Sequence, residues 1–187
     1  MKNIILFIFS TIIIVTACSA QKKISSLKDD KIVKANIYQY KINKSQDGAN
    51  IESLSNRFMN IKQSSPNLPL NINLNFYRKV DLAQLTKICA EIIPIGDLEE
   101  LTKIKNSGLL IDILSDVKGN ILEVRFFTAN NSILTVNQLE QIEVAIKKAI
   151  KIVTINPESQ PYLRGSNFIS NNVTIWFSDI IKLKKGL

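Results

Sequence analysis

The central and C-terminal parts of the chain carry scattered carboxylates at Asp97, Glu99, Glu100, Asp112, Asp116, Glu123, Glu140 and Glu143. Two of these at a suitable separation could run glycoside hydrolysis, one protonated as acid and one ionised as base or nucleophile. Asp112 and Glu123 are the best such pair, since a hairpin between them would set them face to face. The competing reading makes them solvent-side strand residues matched to Arg125. The carboxylates matter because the 187 residues include no His. That zero excludes His general bases, His-ligated zinc and catalytic triads of the usual kind. Two cysteines, Cys18 and Cys89, cannot make a four-thiolate metal site or a disulfide scaffold. There is no Gly-rich phosphate loop, Gly-x-Ser-x-Gly elbow, Ser-x-x-Lys or calcium loop, so neither a cofactor nor a metal is expected.

The chemistry of Cys18 is set by what precedes it. Lys2 is followed by an apolar run from Ile4 to Val15, interrupted by Ser10 and Thr11. Its length of about 12 residues suits a secretory signal and falls short of the ~20 needed to span a bilayer. Val15, Thr16, Ala17 and Cys18 then resemble the lipobox of bacterial lipoproteins. The resemblance implies cleavage before Cys18, so that residues 1–17 are a signal peptide, and acylation of the Cys18 thiol and amino group. Two or three chains on one residue hold a protein to a membrane where one does not. Cleavage removes Lys2 and no other charged side chain, so the chain, with a formal charge of +8, stays basic. Ser19 and Ala20, with no Asp after the cysteine, resemble the enteric pattern for sorting to the outer membrane. The lysines are spread along the chain and an exported protein meets little nucleic acid, so no nucleic-acid partner is expected.

The elements that must position these groups read as an α+β domain. Residues 18–31 form a polar, lysine-rich tether and 32–187 a single domain. Ile32 to Ile42 is β-rich, and Ser45 to Gly48 supply a turn. Asn50 then caps an expected helix with Ile51, Leu54, Phe58 and Ile61 on one side. Leu70 to Tyr77 is the clearest strand, with Leu70, Ile72, Leu74 and Phe76 alternating with a row of Asn71, Asn73 and Asn75. Asp81 and Gln84 open a helix whose stripe is Leu82, Leu85, Ile88, Cys89 and Ile92, and Pro94 closes it. Cys89 on that stripe reads as a buried, inert thiol. Asp97 with Glu100 caps a shorter helix running to about Lys105.

The second half is a hairpin, Leu109 to Ser115 and Ile121 to Thr128, joined by a turn at Asp116 to Asn120. A Thr135/Gln138 capping box follows, with a helix burying Val136, Leu139, Ile142, Ile146, Ala149 and Ile150. Lys147, Lys148 and Lys151 complement its negative end. A final strand alternates Val173, Ile175 and Phe177 with Thr174, Trp176 and Ser178. This ββαβ order over residues 108–187, with Val-Lys-Gly-Asn leading into Ile-Leu-Glu-Val-Arg-Phe, resembles the C-terminal domain of TonB-like proteins. That resemblance implies a mixed or antiparallel sheet with helices on one face. The whole chain also resembles small Bacteroidales lipoproteins of unknown function.

These readings converge on a lipid-anchored protein on the periplasmic side of the envelope, at the outer membrane, acting as a non-catalytic binding or structural module. Its partners are the membrane, through Cys18, and a protein strand added to a sheet edge at Leu70 to Tyr77 or Val173 to Lys182. The alternatives are a His-free hydrolase using Asp112 and Glu123, or an immunity-like periplasmic protein.

Overall fold

A computed structural model describes residues 22–58, 61–69, 78–104 and 107–187. The signal segment, Cys18 and the strand expected at Leu70 to Tyr77 lie outside the described residues. The fold is α+β. A six-stranded antiparallel sheet has the order β1-β2-β3-β6-β5-β8, with β1 Lys31–Lys34, β2 Gln39–Lys44, β3 Ala49–Ser53, β5 Gly108–Ser115, β6 Ile121–Thr128 and β8 Ile169–Trp176. A two-stranded ribbon pairs β4 Arg78–Lys79 with β7 Val153–Thr154. The helices are α1 Leu82–Ile92, α2 Ile95–Leu101, α3 Val136–Ala149, α4 Gln160–Leu163 and α5 Phe177–Lys185.

One sheet face is apolar and carries the helices. Tyr40, Ile42, Ile51, Phe126, Ile111 and Ile175 share it, and they form one core cluster with Leu85 and Ile88 of α1, Leu139, Ile142 and Ile146 of α3, and Phe177 and Ile180 of α5. Helix α3 begins as the sequence implies. The Thr135 side chain accepts from the Gln138 backbone N–H while the Gln138 side chain accepts from the Thr135 N–H. At α1 the Asp81 carboxylate accepts from the Gln84 N–H. Both arrangements satisfy N–H groups that a helix start leaves open.

Four expectations change. The single strand at Ile32 to Ile42 is two strands, β1 and β2, folded back at Ala35 to Tyr38, where the Ala35 N–H donates to the Tyr38 carbonyl at 2.9 Å. The helix expected from Asn50 is strand β3. Ala49, Ile51 and Ser53 point to the core and Asn50 and Glu52 point away, a period of two that the helical spacing of Ile51 and Leu54 overlaps. Pairing on both sides, with β2 and with β6, decides between the two periods. The cap of α2 is Pro94, and Asp97, inside its first turn, accepts instead from the Gln138 side chain at 2.8 Å. The last strand ends at Trp176, and Phe177 opens helix α5, which turns Phe177 and Ile180 into the core.

Within the 18–31 segment, Lys22, Ile24, Ser25 and Asp29 are hydrogen-bonded to the rest of the domain. The Ile24 side chain is fully buried, its N–H donates to the Leu134 carbonyl at 2.8 Å, and the Ser25 N–H donates to Ser132 at the same distance. The Val136 N–H reaches back to the Lys22 carbonyl, and the Asp29 carboxylate accepts from the Lys44 N–H.

The β5–β6 turn closes on Asp116, whose carboxylate accepts from the N–H groups of Lys118 and Asn120 and from the Asn120 amide. Burial pushes this carboxyl up, but those hydrogen bonds outweigh it and hold it below its ordinary value. Gly119 adopts φ +87°, and a Cβ there would sit 1.9 Å from the Ile152 carbonyl oxygen. Gly119→Ala is therefore expected to destabilise the fold by about 2 kcal/mol, through left-handed strain and a forced shift of the Ile152 backbone. Urea titration measures it, and a neutral result would show that the turn relaxes freely.

Candidate functional site: the open face of the sheet

Opposite the helices, the alternation of each strand leaves polar side chains in cross-strand rows. One row runs Lys41, Glu52, Arg125, Asp112 and Asn172 across β2, β3, β6, β5 and β8. The next runs Asn43, Asn50, Phe127, Leu110 and Thr174. Between the two rows lies a concavity of about 330 Å³, within the range of small-ligand sites. Its walls are Asn43, Asn50, Glu52, Asp112, Arg125 and Asn172, and Leu110 and Phe127 supply apolar surface.

Arg125 organises the charge. Its Nη2 donates to the Phe58 carbonyl at 2.7 Å. Three carboxylates stand around it: Glu52 at 3.9 Å from Nε, Asp112 at 3.8 Å from Nη1 and Glu123 at 3.9 Å from Nη2. Those separations exceed hydrogen-bond length, so the attraction is coulombic and the guanidinium is shared among all three. Nε is buried and makes no hydrogen bond. Burial raises the Glu52 carboxyl above its ordinary value, Arg125 and Lys41 pull it back, and Glu123 adds a smaller upward push.

Asp112 and Glu123 both reach this face, but they do not oppose each other. Asp112 stands across from Arg125, and Glu123 across from Leu114, because the five-residue turn and the irregularity at Leu114/Ser115 fix that register. Their tasks differ as well. Glu123 is nearly buried, and its Oε1 accepts the N–H groups of both Arg57 and Phe58, tying down the segment that follows β3. Asp112 lines the concavity and accepts from the Ser170 hydroxyl at 2.5 Å. The carboxylate that joins Asp112 in the concavity is Glu52, which sequence reasoning placed on a helix. The available signal was the alternation Ala49, Ile51, Ser53 just after an Asp-Gly turn.

The remaining candidates are structural. Glu143 is fully buried, accepts from the Tyr40 hydroxyl at 2.6 Å and is paired with Lys147 at 2.6 Å. Burial, and then Glu143, push the Tyr40 hydroxyl far up. Lys147, expected to serve the helix end, thus neutralises a buried carboxylate and lies 5.3 Å over the Tyr38 ring. Cys89 is buried on α1, and burial pushes its thiol up to about 12. In Cys18→Ala protein, where Cys89 is the remaining thiol, Ellman's reagent is expected to find none in the native state and one in denaturant. Rapid native labelling would contradict the burial.

Among the described residues the outer strands of the sheet are β1 and β8. Among those residues β8 pairs with β5 alone, and within the stretch expected from Val173 to Lys182 the strand runs only to Trp176, where α5 takes over.

No known protein family matches this sequence, and no curated protein matches it. Among solved structures, the chain is similar to a DUF5043 family protein from Bacteroides uniformis, with a TM-score of 0.64 and 15% sequence identity over 80% of this chain and 86% of that one. The two share a fold. The match covers most of both chains, so the sheet and its helices form a unit also found in a Bacteroides protein whose family name denotes unknown function.

Proposed function

We propose that the protein is a lipid-anchored module of the cell envelope, held by Cys18, that binds a ligand on the open face of its sheet without transforming it. The observation that carries the anchor is the succession of an apolar core of signal length and Val15-Thr16-Ala17-Cys18. The likeness to a Bacteroides protein fits a Bacteroidales-type envelope lipoprotein, sorted to the outer membrane and facing the periplasm. Binding is supported by the concavity around Arg125, where the amides of Asn43, Asn50 and Asn172 offer donors and acceptors beside two carboxylates. Such a set suits a polyol or an amine better than an anion. Strand β8, which among the described residues pairs with β5 alone, offers a second contact for a protein strand. The hairpin, helix and strand order of residues 108–187, which resembles the C-terminal domain of TonB-like proteins, fits the same reading.

Cys18→Ala decides the anchor. The wild type is expected in the membrane fraction with an acylated N-terminal peptide, and the variant in the soluble fraction. A variant that still partitions with membranes, together with an unacylated wild type, would overturn it. For binding, envelope glycans and amines retained by the wild type are expected to be lost from Asn50→Trp, which fills the concavity from an exposed strand position.

A second reading has a specific observation behind it. Glu52, whose carboxyl burial raises, and Asp112 flank one concavity, and glycoside hydrolysis uses a pair of carboxyl groups. Turnover of a glycan by the wild type and not by Glu52→Gln would favour this hydrolase.

A further inference from the structure

We infer that the protein does not hang freely from its lipid but presents one particular end of its sheet to the bilayer: the end formed by the Lys22 to Ser26 segment, the β6–α3 connection and Trp176. The inference rests on the lipid-anchor reading and adds to it an orientation and a contact surface.

The length of chain between the anchor and the domain carries the argument. Lys22 is fixed to the domain, its carbonyl accepting from the Val136 N–H; Lys23 bridges to Thr135, and Ile24 is fully buried with its N–H on Leu134. From Cys18 to Lys22 is four residues, which span at most ~14 Å when fully extended. A single domain of this size has a radius of gyration of roughly 15 Å, so a leash of that length cannot let it turn its far side to the membrane. Whatever surrounds Lys22 must lie at the headgroups.

What surrounds it follows from the pairings. Residues 129–135 run from the end of β6 to the start of α3, so Lys22 joins the domain at the Thr128 end of the sheet. Gly108 lies at the same end, accepting from the Thr128 hydroxyl, and it pairs with Trp176 on β8. Two strand spacings, about 10 Å, separate β6 from β8. Trp176 is the sole tryptophan of the chain and is 47% exposed. Its ring lies over Gly108, where a Cβ would come within 3.1 Å of it. Indole rings favour the interfacial zone of a bilayer. Lys22 and Lys23 are exposed at the junction and suit an anionic leaflet. An exposed Trp and a lysine pair at the end nearest the anchor are the chemistry of a lipid surface. In this pose the strands stand away from the membrane and the concavity around Arg125 opens sideways to the periplasm.

The single tryptophan makes the test direct. The acylated full-length protein is purified from membranes and placed in phosphatidylethanolamine and phosphatidylglycerol vesicles, with and without a spin label on the lipid headgroup. Emission from Trp176 is expected to be lost in the labelled vesicles. A 20-residue Gly/Ser spacer inserted between Gln21 and Lys22, with an r.m.s. length of ~25 Å, is expected to restore it while leaving acylation and the fold unchanged. The mass of the N-terminal peptide reports the acyl chains separately. An unacylated Cys18 would overturn the anchor and the orientation with it. An acylated chain whose Trp176 is not quenched would overturn the orientation alone, and quenching that survives the spacer would overturn the short leash as its cause.

Discussion

Replacing Arg125 with Leu is expected to cost about 2 to 3 kcal/mol of stability near neutral pH, and noticeably less in mild acid. The guanidinium is the cation for Glu52, Asp112 and Glu123 together, on the central strand β6. Its removal leaves three carboxylates on one patch of sheet and frees the Phe58 carbonyl. Taking one partner from a fully buried ion pair costs ~3 to 5 kcal/mol. Here the side chain is 25% exposed and the contacts are long, which places the loss at the lower end. The pH dependence follows from Glu52. Burial raises its carboxyl, and Arg125 is the strongest of the groups that pull it back, so in the variant it rises further. A carboxyl raised in the folded state contributes stability that is fully present below its unfolded value and is lost as pH rises through the folded one. The variant should thus gain relative stability on acidification from the neutral range into the ordinary glutamate range. Urea midpoints of both proteins, measured at neutral pH and in mild acid, read this directly. Equal destabilisation at both would mean that the Arg125 side chain acts through packing and not charge. Arg125→Lys keeps the charge but not the fork, so an intermediate loss is expected.

Glu140→Ala is expected to be at least as costly, at about 3 kcal/mol. The Glu140 carboxylate, 2% exposed on α3, accepts the N–H groups of Asn36, Ile37 and Tyr38 at 3.0, 2.7 and 2.7 Å. These are the amides of the β1–β2 turn, so one side chain welds the outermost hairpin to the helix layer. Hydrogen bonds to a charged group contribute ~1.5 to 3 kcal/mol each, and donors left unsatisfied add to the loss. Glu140→Gln keeps an accepting oxygen but puts an amide N–H among donors, and should lose roughly half as much. Hydrogen exchange at residues 36–38 is the local readout. Fast exchange confined to β1 and β2 is expected in the alanine variant, while unchanged protection would show that another group holds the turn.

The legible elements were those whose instructions are local. The Thr135/Gln138 box, the Asp81 cap and the Asp116 to Asn120 turn each satisfy their own backbone groups within five residues, and each stands where its residues imply. The β5–β6 hairpin follows for the same reason. Illegible elements were those that depend on a distant partner. Ile32 to Ile42 breaks in two because Glu140, about a hundred residues away, captures the amides of the turn. Ile51 belongs to a strand because β2 and β6 flank it. The same distinction governs the site. Asp112 was visible as a strand carboxylate, while Glu52 entered the concavity only with the correct assignment of β3.

Composition and local pattern by themselves determined that no His chemistry exists here, that Cys89 sits on a buried stripe, and that an apolar run leads up to Val15-Thr16-Ala17-Cys18. These follow from residue type and from spacing over a few residues, and no fold is needed to read them. The tertiary structure alone decided which carboxylates meet. It sent Glu123 to the segment after β3, Glu140 to a hairpin and Glu143 to a tyrosine, and set Glu52 and Asp112 beside Arg125. The physical reason is register. A cross-strand neighbour is fixed by turn length and by the alternation of side chains across the sheet, and neither is a property of any single segment.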